Sequence, residues 1–478
     1  MSGLKQNILL NGINTLSGII YPFITFPYAA RILLPEGIGT INFLNSIISY
    51  IVLLTSLGIP IYAVREIAKV RNDKEERDKV TIEIILLSFL LSIIGYIIVL
   101  LLTFFVPQIH AQASIFFVLS LAIIFNAIGI NWFYQGIEDF KFITVRAIII
   151  RTVSILFLFI FVKSSSDLLI YAFIVVGATV GNNILNLIHL HKYISPSKSL
   201  FKNLKIFRHA KPALFMFIVN LIISLYVQLN SVMLGFMAGE TAVGYYTAGT
   251  KISHICLQLI TSIGVVLLPR CSNLVERRDL ESFSNVISKS LDLSSCLSLP
   301  MTFGLIILAS PVIYVFCGEA FMGSVPILII SAPVIWVASM TNVMGIQVLY
   351  PLDKVKIVMW SVAVGAILNI IFNVILIPSL QSSGAAISAL LAEFAVFGVQ
   401  IVCGKKYFPF SIRNIVNFKY IISAILMAII VYAITNCCET QISILISGVL
   451  VGSISYFAFL LLLKDKFLYG LIREYKLR

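Results

Sequence analysis

The chain has 478 residues, of which 59% are apolar and 12% charged. With its 27 glycines, about 65% of it carries no polar side chain, against about 45–50% in soluble domains. A water-soluble fold cannot hide such a load, and the same numbers exclude disorder, collagen and a disulfide scaffold. Long apolar runs instead of alternating ones exclude a transmembrane barrel. The fold class is therefore an all-α, polytopic membrane protein, and its net charge of +13 has to be placed.

A helix needs about 20 apolar residues to cross about 30 Å of hydrocarbon. In chain order, about fourteen segments meet that length, seven of them near 8–30, 38–60, 80–104, 114–134, 142–162, 168–188 and 213–237. The others fall near 242–268, 291–316, 325–349, 357–377, 383–403, 419–436 and 442–463. Pro326 and Pro333 interrupt the tenth. The first is broken by Asn11, Asn14, Thr15 and Ser17 and has no small-residue cleavage site, so it is expected to stay as a helix.

The connections alternate in charge. Thirty of the 34 Lys and Arg residues fall on one set of segments, including Arg65–Lys79, Lys192–Lys211 and the tail after Lys464. Only Arg31 and Lys163 fall on the other. By the positive-inside bias, both termini are expected in the cytoplasm. The cations thus report topology, and nucleic acid is not an expected partner. The seven cysteines show no metal-ligand spacing.

Two halves are suggested by Gly37-Ile38-Gly39 and Val243-Gly244-Tyr245, about 205 residues apart, and by Ser56-Leu57-Gly58 and Ser262-Ile263-Gly264, at a similar offset. The expected organisation is a six-helix lobe at 1–190, a basic linker at 191–212, a second six-helix lobe at 213–403, and two extra helices with a basic tail at 404–478.

Polar residues within the spans are the functional candidates. Asn7, Asn11, Asn14 and Gly18 share one face of the first helix, suited either to helix–helix hydrogen bonds or to a water-filled cavity. Lys251 lies about ten residues into the eighth span, with His254 and Gln258 following on its face. Arg151 is comparably deep in the fifth, with Arg146 nearer its start. A cation at such depth is costly unless paired, so it either serves a ligand or pairs with Glu393, the one deep acidic residue. Cations suit phosphate or pyrophosphate, and amides such as Asn230, Asn342, Asn369 and Asn373 suit sugar hydroxyls. An anionic head joined to sugars beside a bilayer describes a glycolipid; an organic anion fits the same composition.

Short ordered segments carry a resemblance. They include Phe26-Pro27-Tyr28-Ala29-Ala30-Arg31-Ile32-Leu33, Pro35-Glu36-Gly37-Ile38-Gly39, Ser56-Leu57-Gly58-Ile59-Pro60 and Arg65-Glu66-Ile67-Ala68. Trp132-Phe133-Tyr134-Gln135-Gly136, Val243-Gly244-Tyr245-Tyr246-Thr247-Ala248 ahead of Lys251, Leu268-Pro269-Arg270, and Gly384-Ala385-Ala386 with Glu393 follow. The chain resembles the bacterial lipid-linked oligosaccharide flippases of the multidrug/oligosaccharidyl-lipid/polysaccharide exporter superfamily, which translocate O-antigen and capsule repeat units. The resemblance implies a two-lobed transporter of fourteen helices that moves a polyprenyl-pyrophosphate oligosaccharide between leaflets by alternating access. It singles out Lys251 and Glu393, and it implies membrane lipids and a repeat-unit polymerase as partners. No cofactor is expected beyond a coupling ion, H⁺ or Na⁺. Such proteins often carry an Asp where this chain has Asn230, which bears on that coupling.

A drug/cation antiporter of the same superfamily is the nearest rival, and it would favour an acidic interior. A membrane-embedded enzyme would need a catalytic constellation, which the five scattered histidines do not provide.

Overall fold

The computed structural model describes residues 4–194, 204–410, 417–465 and 467–470. Among these there is no strand. The first unit runs α1 (Leu4–Ser56), α2 (Ile59–Val70), α3 (Lys74–Phe105), α4 (Pro107–Ala111), α5 (Ala113–Ala127), α6 (Asn131–Gly136), α7 (Phe140–Phe161), α8 (Leu168–Leu190) and α9 (Ala210–Ala238). Then follow α10 (Glu240–Glu276), α11 (Leu280–Ile307), α12 (Ala309–Cys317), α13 (Val325–Asn342), α14 (Val355–Gly404), α15 (Phe418–Thr435) and α16 (Gln441–Leu462). A π-helical stretch, Val343–Leu349, extends α13.

Eleven helical stretches are long and apolar enough to cross a membrane. Two of them hold two crossing lengths each, because α1 turns at Leu34 and α14 turns at Gln381. Pro35 has no N–H to donate and disfavours a helical backbone at Leu34, which adopts φ 60°. In α14 the turn at Gln381 (φ 48°) brings backbones so close that a Cβ on Gly384 would sit 2.6 Å from the Leu376 carbonyl carbon. With the 29-residue α9, the described residues supply fourteen crossings. This is a multi-pass, all-α membrane protein.

The molecule is apolar outward as well as inward: Phe104 and Phe105 on α3 are 74% and 78% exposed. Most buried hydroxyls are satisfied within their own helices. Thr40, Thr55, Ser88 and Thr103 each donate to the carbonyl four residues earlier, so they carry no ligand argument.

Two of the sequence expectations change. The segment 61–80, read as a loop, is mostly helical: Gly58 (φ 70°) opens α2, and Asp73 caps α3 through the Glu75 and Glu76 amides. The matching tripeptide Ser262-Ile263-Gly264 instead lies inside continuous α10, so the internal repeat does not extend to the backbone there. The two compact units are Met1–Phe236 and Met237–Arg478. The division therefore falls one helix beyond the basic segment 191–212, of which residues 195–203 lie outside those described.

Candidate functional site

The first unit contains a cavity of about 570 Å³. Its wall is built around a broken crossing. Helix α5 ends at Ala127, Gly129 and Ile130 are non-helical, and α6 resumes at Asn131. Irregular backbone inside a crossing is tolerated where it lines a polar space. Asn126, Asn131, Trp132 and Gln135 from this break line the cavity, opposite Asn182 and Asn183 of α8. The hydroxyls of Tyr21, Thr55, Ser56, Ser88 and Thr179 also lie on the wall, those of Thr55, Ser56 and Ser88 donating within their own helices, and none of the described lining residues is acidic.

Arg146 and Arg151 of α7 supply the charge. Arg151 donates from Nη1 to the backbone and side-chain oxygens of Asn14, both at 3.0 Å, and to Ser17 Oγ. Gly18 lies beside the guanidinium: a Cβ there would be in ordinary contact, 3.4 Å from Arg151 Nη2. Arg151 therefore fixes α1 against α7, helped by Thr144 Oγ1 donating to the Leu10 carbonyl. Arg146 is only 6% exposed. It donates from Nε to Asn182 Oδ1 (3.0 Å) and from Nη2 to Asn131 Oδ1 (3.2 Å), and its guanidinium lies over the Phe142 ring. Its Nη1 is buried without a hydrogen-bond partner, as is Asn183 Nδ2. Two buried donors without a protein partner thus belong to residues on the wall of a cavity whose described lining carries no acid, an arrangement that suits acceptor oxygens.

Of the residues singled out in the sequence, Asn14, Arg146 and Arg151 converge here. Asn11 does not line the cavity; its side chain is exposed, and that of Asn7 lies outside those described. These partners of Arg151, Asn14 and Ser17, are neutral. Arg31 is exposed on α1, three residues before the kink, and Asn230 is buried on α9. Lys251 is half-exposed on α10, with His254 and Gln258 exposed on the same helix, and Glu393 is half-buried on α14. Asn126, Asn131, Asn182 and Asn183 were missed. Asn182-Asn183 sits in mid-span and was visible; Asn131 falls near the end of the span expected at 114–134, and its place on the wall follows from the α5–α6 break.

A second cavity, about 410 Å³, lies in the second unit and is almost wholly apolar. Leu297, Met301 and Leu305 of α11 face Val431 of α15 and Val449 and Phe457 of α16 across it.

The family described as polysaccharide biosynthesis protein matches residues 4–275. The chain belongs to this family. A relative in Escherichia coli (strain K12), named "Putative O-antigen transporter", is 28% identical over 404 residues, covering 84% of this chain and 96% of that one. Among solved structures, the lipid II flippase MurJ in an inward closed conformation superposes with a TM-score of 0.73 at 17% identity, covering 96% of this chain and 99% of that chain. An inward-facing multidrug resistance MATE family transporter of the MOP superfamily gives 0.61 at 16% identity, covering 84% and 97%. These likenesses establish the fold, a polytopic helical one. The sequence resemblance to lipid-linked oligosaccharide flippases thus stands at the level of the family.

Proposed function

We propose that this protein flips polyprenyl-pyrophosphate-linked oligosaccharide repeat units from the inner to the outer leaflet of the cytoplasmic membrane by alternating access. The observation that carries the reading is the acid-free cavity in which Arg146 Nη1 is buried without a partner. A buried guanidinium with a spare donor lowers its energy by meeting an anionic oxygen, and phosphate or pyrophosphate supplies several. The surrounding amides match sugar hydroxyls, because each amide donates and accepts. The E. coli relative's name points to the same cargo.

A drug/cation antiporter is the less favoured reading, because a cationic cargo would find two arginines and no carboxylate on this wall. The test is reconstitution. Purified protein in liposomes is supplied with a fluorescent polyprenyl-pyrophosphate oligosaccharide, and its appearance in the outer leaflet is followed by enzymatic trapping. Flux at the rate of empty liposomes, together with efflux of a lipophilic cation, rejects the proposal. On this reading both termini are cytoplasmic, Lys251 and Glu393 act in the second unit, and any coupling ion is H⁺ or Na⁺.

A further inference from the structure

Away from the cavity, one buried carboxylate gathers an unusual set of partners. Glu83 of α3 is 0% exposed. Its Oε1 accepts from the Lys205 backbone N–H at 2.7 Å. Its Oε2 accepts from Arg208 Nε at 2.7 Å and lies 2.9 Å from His209 Nε2. The His209 ring is sealed on its other side, where Nδ1 is 2.8 Å from Tyr62 Oη of α2. One tautomer satisfies both contacts, with the ring proton on Nε2 donating to Glu83 and Nδ1 accepting from Tyr62. Arg208 reaches further, donating from Nη2 to Glu76 Oε1 at 3.0 Å.

Three donors from the five residues 205–209 thus converge on one side chain. That stretch is a 3₁₀ turn, Ile206–His209, and α9 starts at the next residue. None of Tyr62, Glu83, Arg208 or His209 lines the polar cavity, so the cluster is not part of the binding site. The charge on Glu83 is stable there only while its donors stay, because an unpaired carboxylate without water is strongly disfavoured. The contact is therefore cooperative. Losing the turn strands the carboxylate, and losing the carboxylate frees the turn.

We propose that Glu83 is a positioning residue that latches the start of α9 onto α3, and that transport requires the latch closed. The helix it fixes is the one through which the first unit continues into the second. The transport half of the proposal rests on the flippase reading; the latch itself does not.

The test uses the full-length protein in native membranes with Glu83→Gln and the milder Tyr62→Phe. Lys205 and Arg208 are exposed, so only the ordered turn protects them from trypsin, whereas Arg277 and Arg278 between α10 and α11 provide a reference site in the other unit. The readout is the ratio of cleavage at Lys205 and Arg208 to cleavage at Arg277 and Arg278. Expected are a rise of about tenfold for Glu83→Gln and about threefold for Tyr62→Phe, with repeat-unit export reduced at least about fivefold in Glu83→Gln at equal abundance. If Glu83→Gln does not accumulate, Tyr62→Phe decides by the same ratio. A ratio at the wild-type value overturns the latch, as does a rise at both sites together, which marks general destabilisation. A raised ratio with wild-type export overturns its part in transport. Because trypsin needs no substrate, failure of the wild type to export a glycolipid rejects the flippase reading while the ratio still judges the latch.

Discussion

Arg146 and Asn182 hold each other in a fixed pose. The arginine donates from Nε to Asn182 Oδ1 at 3.0 Å, while the amide of Asn182 donates to the Ala178 carbonyl at 2.6 Å. Asn182 thereby has its oxygen turned to the cation and its nitrogen turned away. The remaining nitrogen, Nη1, is buried without a protein partner.

Replacing Arg146 with Gln should accordingly lower glycolipid flux by at least about tenfold, equivalent to ~1.4 kcal/mol, with membrane abundance within about twofold of wild type. Arg146→Lys keeps the charge but loses the fork that spans Asn182 and Asn131, so it should recover only a small part. Flux measured in reconstituted liposomes checks both. Wild-type rates for Arg146→Gln would remove the cavity from the transport path.

This site was legible in the sequence to the extent that its members are anomalies in apolar runs. Arg146, Arg151 and Asn14 stood out because a charge or an aligned amide at depth costs free energy unless something compensates it. What completes the site is long-range: Asn131 and Asn182 meet Arg146 from 15 and 36 residues away. No periodicity predicts such meetings. Glu83 was harder still. It lies where a basic loop gives way to an apolar span, an ordinary place for a solvated carboxylate, and its partners Lys205, Arg208 and His209 are 122 to 126 residues distant. The fourteen crossings were readable from run length, whereas the kinks at Leu34 and Gln381 appeared only as gaps between spans.

Lys251 is a second target for substitution. It sits on α10 eleven residues after Glu240, beside His254 and Gln258 on the same face. On the flippase reading, Lys251→Ala is expected to reduce flux about tenfold without altering abundance, and Lys251→Arg, which keeps the charge, to retain most of it. Equal flux from Lys251→Ala and wild type would take this lysine out of the mechanism.

Gly129 tests the shape of the cavity rather than its charge. A Cβ at this position would lie 2.5 Å from both Cγ and Oδ1 of Asn183, so the amide has to move. Asn183 lines the cavity and is 7% exposed, leaving the cavity itself as its escape route. Gly129→Ala should destabilise the protein by about 1–3 kcal/mol and reduce flux, while Gly129→Ala combined with Asn183→Ala should recover stability. Thermal unfolding in detergent measures the first effect and liposome flux the second. Additive losses in the double variant would show that the two side chains do not compete for space.

The His209 cluster makes stability depend on pH with a sign that can be worked out. Burial pushes the imidazole below the ordinary histidine range, and the Arg208 guanidinium pushes the same way, against the raising effect of Glu83. Glu66 also raises it, and Tyr62 faces its Nδ1. In the folded protein the ring therefore stays neutral at a pH where the unfolded chain, with a histidine near about 6.5, has begun to take up a proton. The unfolded state then binds more protons, so this residue's contribution is fully present above about pH 6.5 and is lost as the pH falls towards the depressed folded value. Wild-type protein in detergent should unfold at progressively lower temperature as the pH is lowered from about 6.5 to 5. His209→Gln should flatten that slope, because the Gln amide can donate to Glu83 and accept from Tyr62 without titrating. Melting curves at a fixed scan rate compare the two, and an identical slope in both proteins would place the acid sensitivity elsewhere.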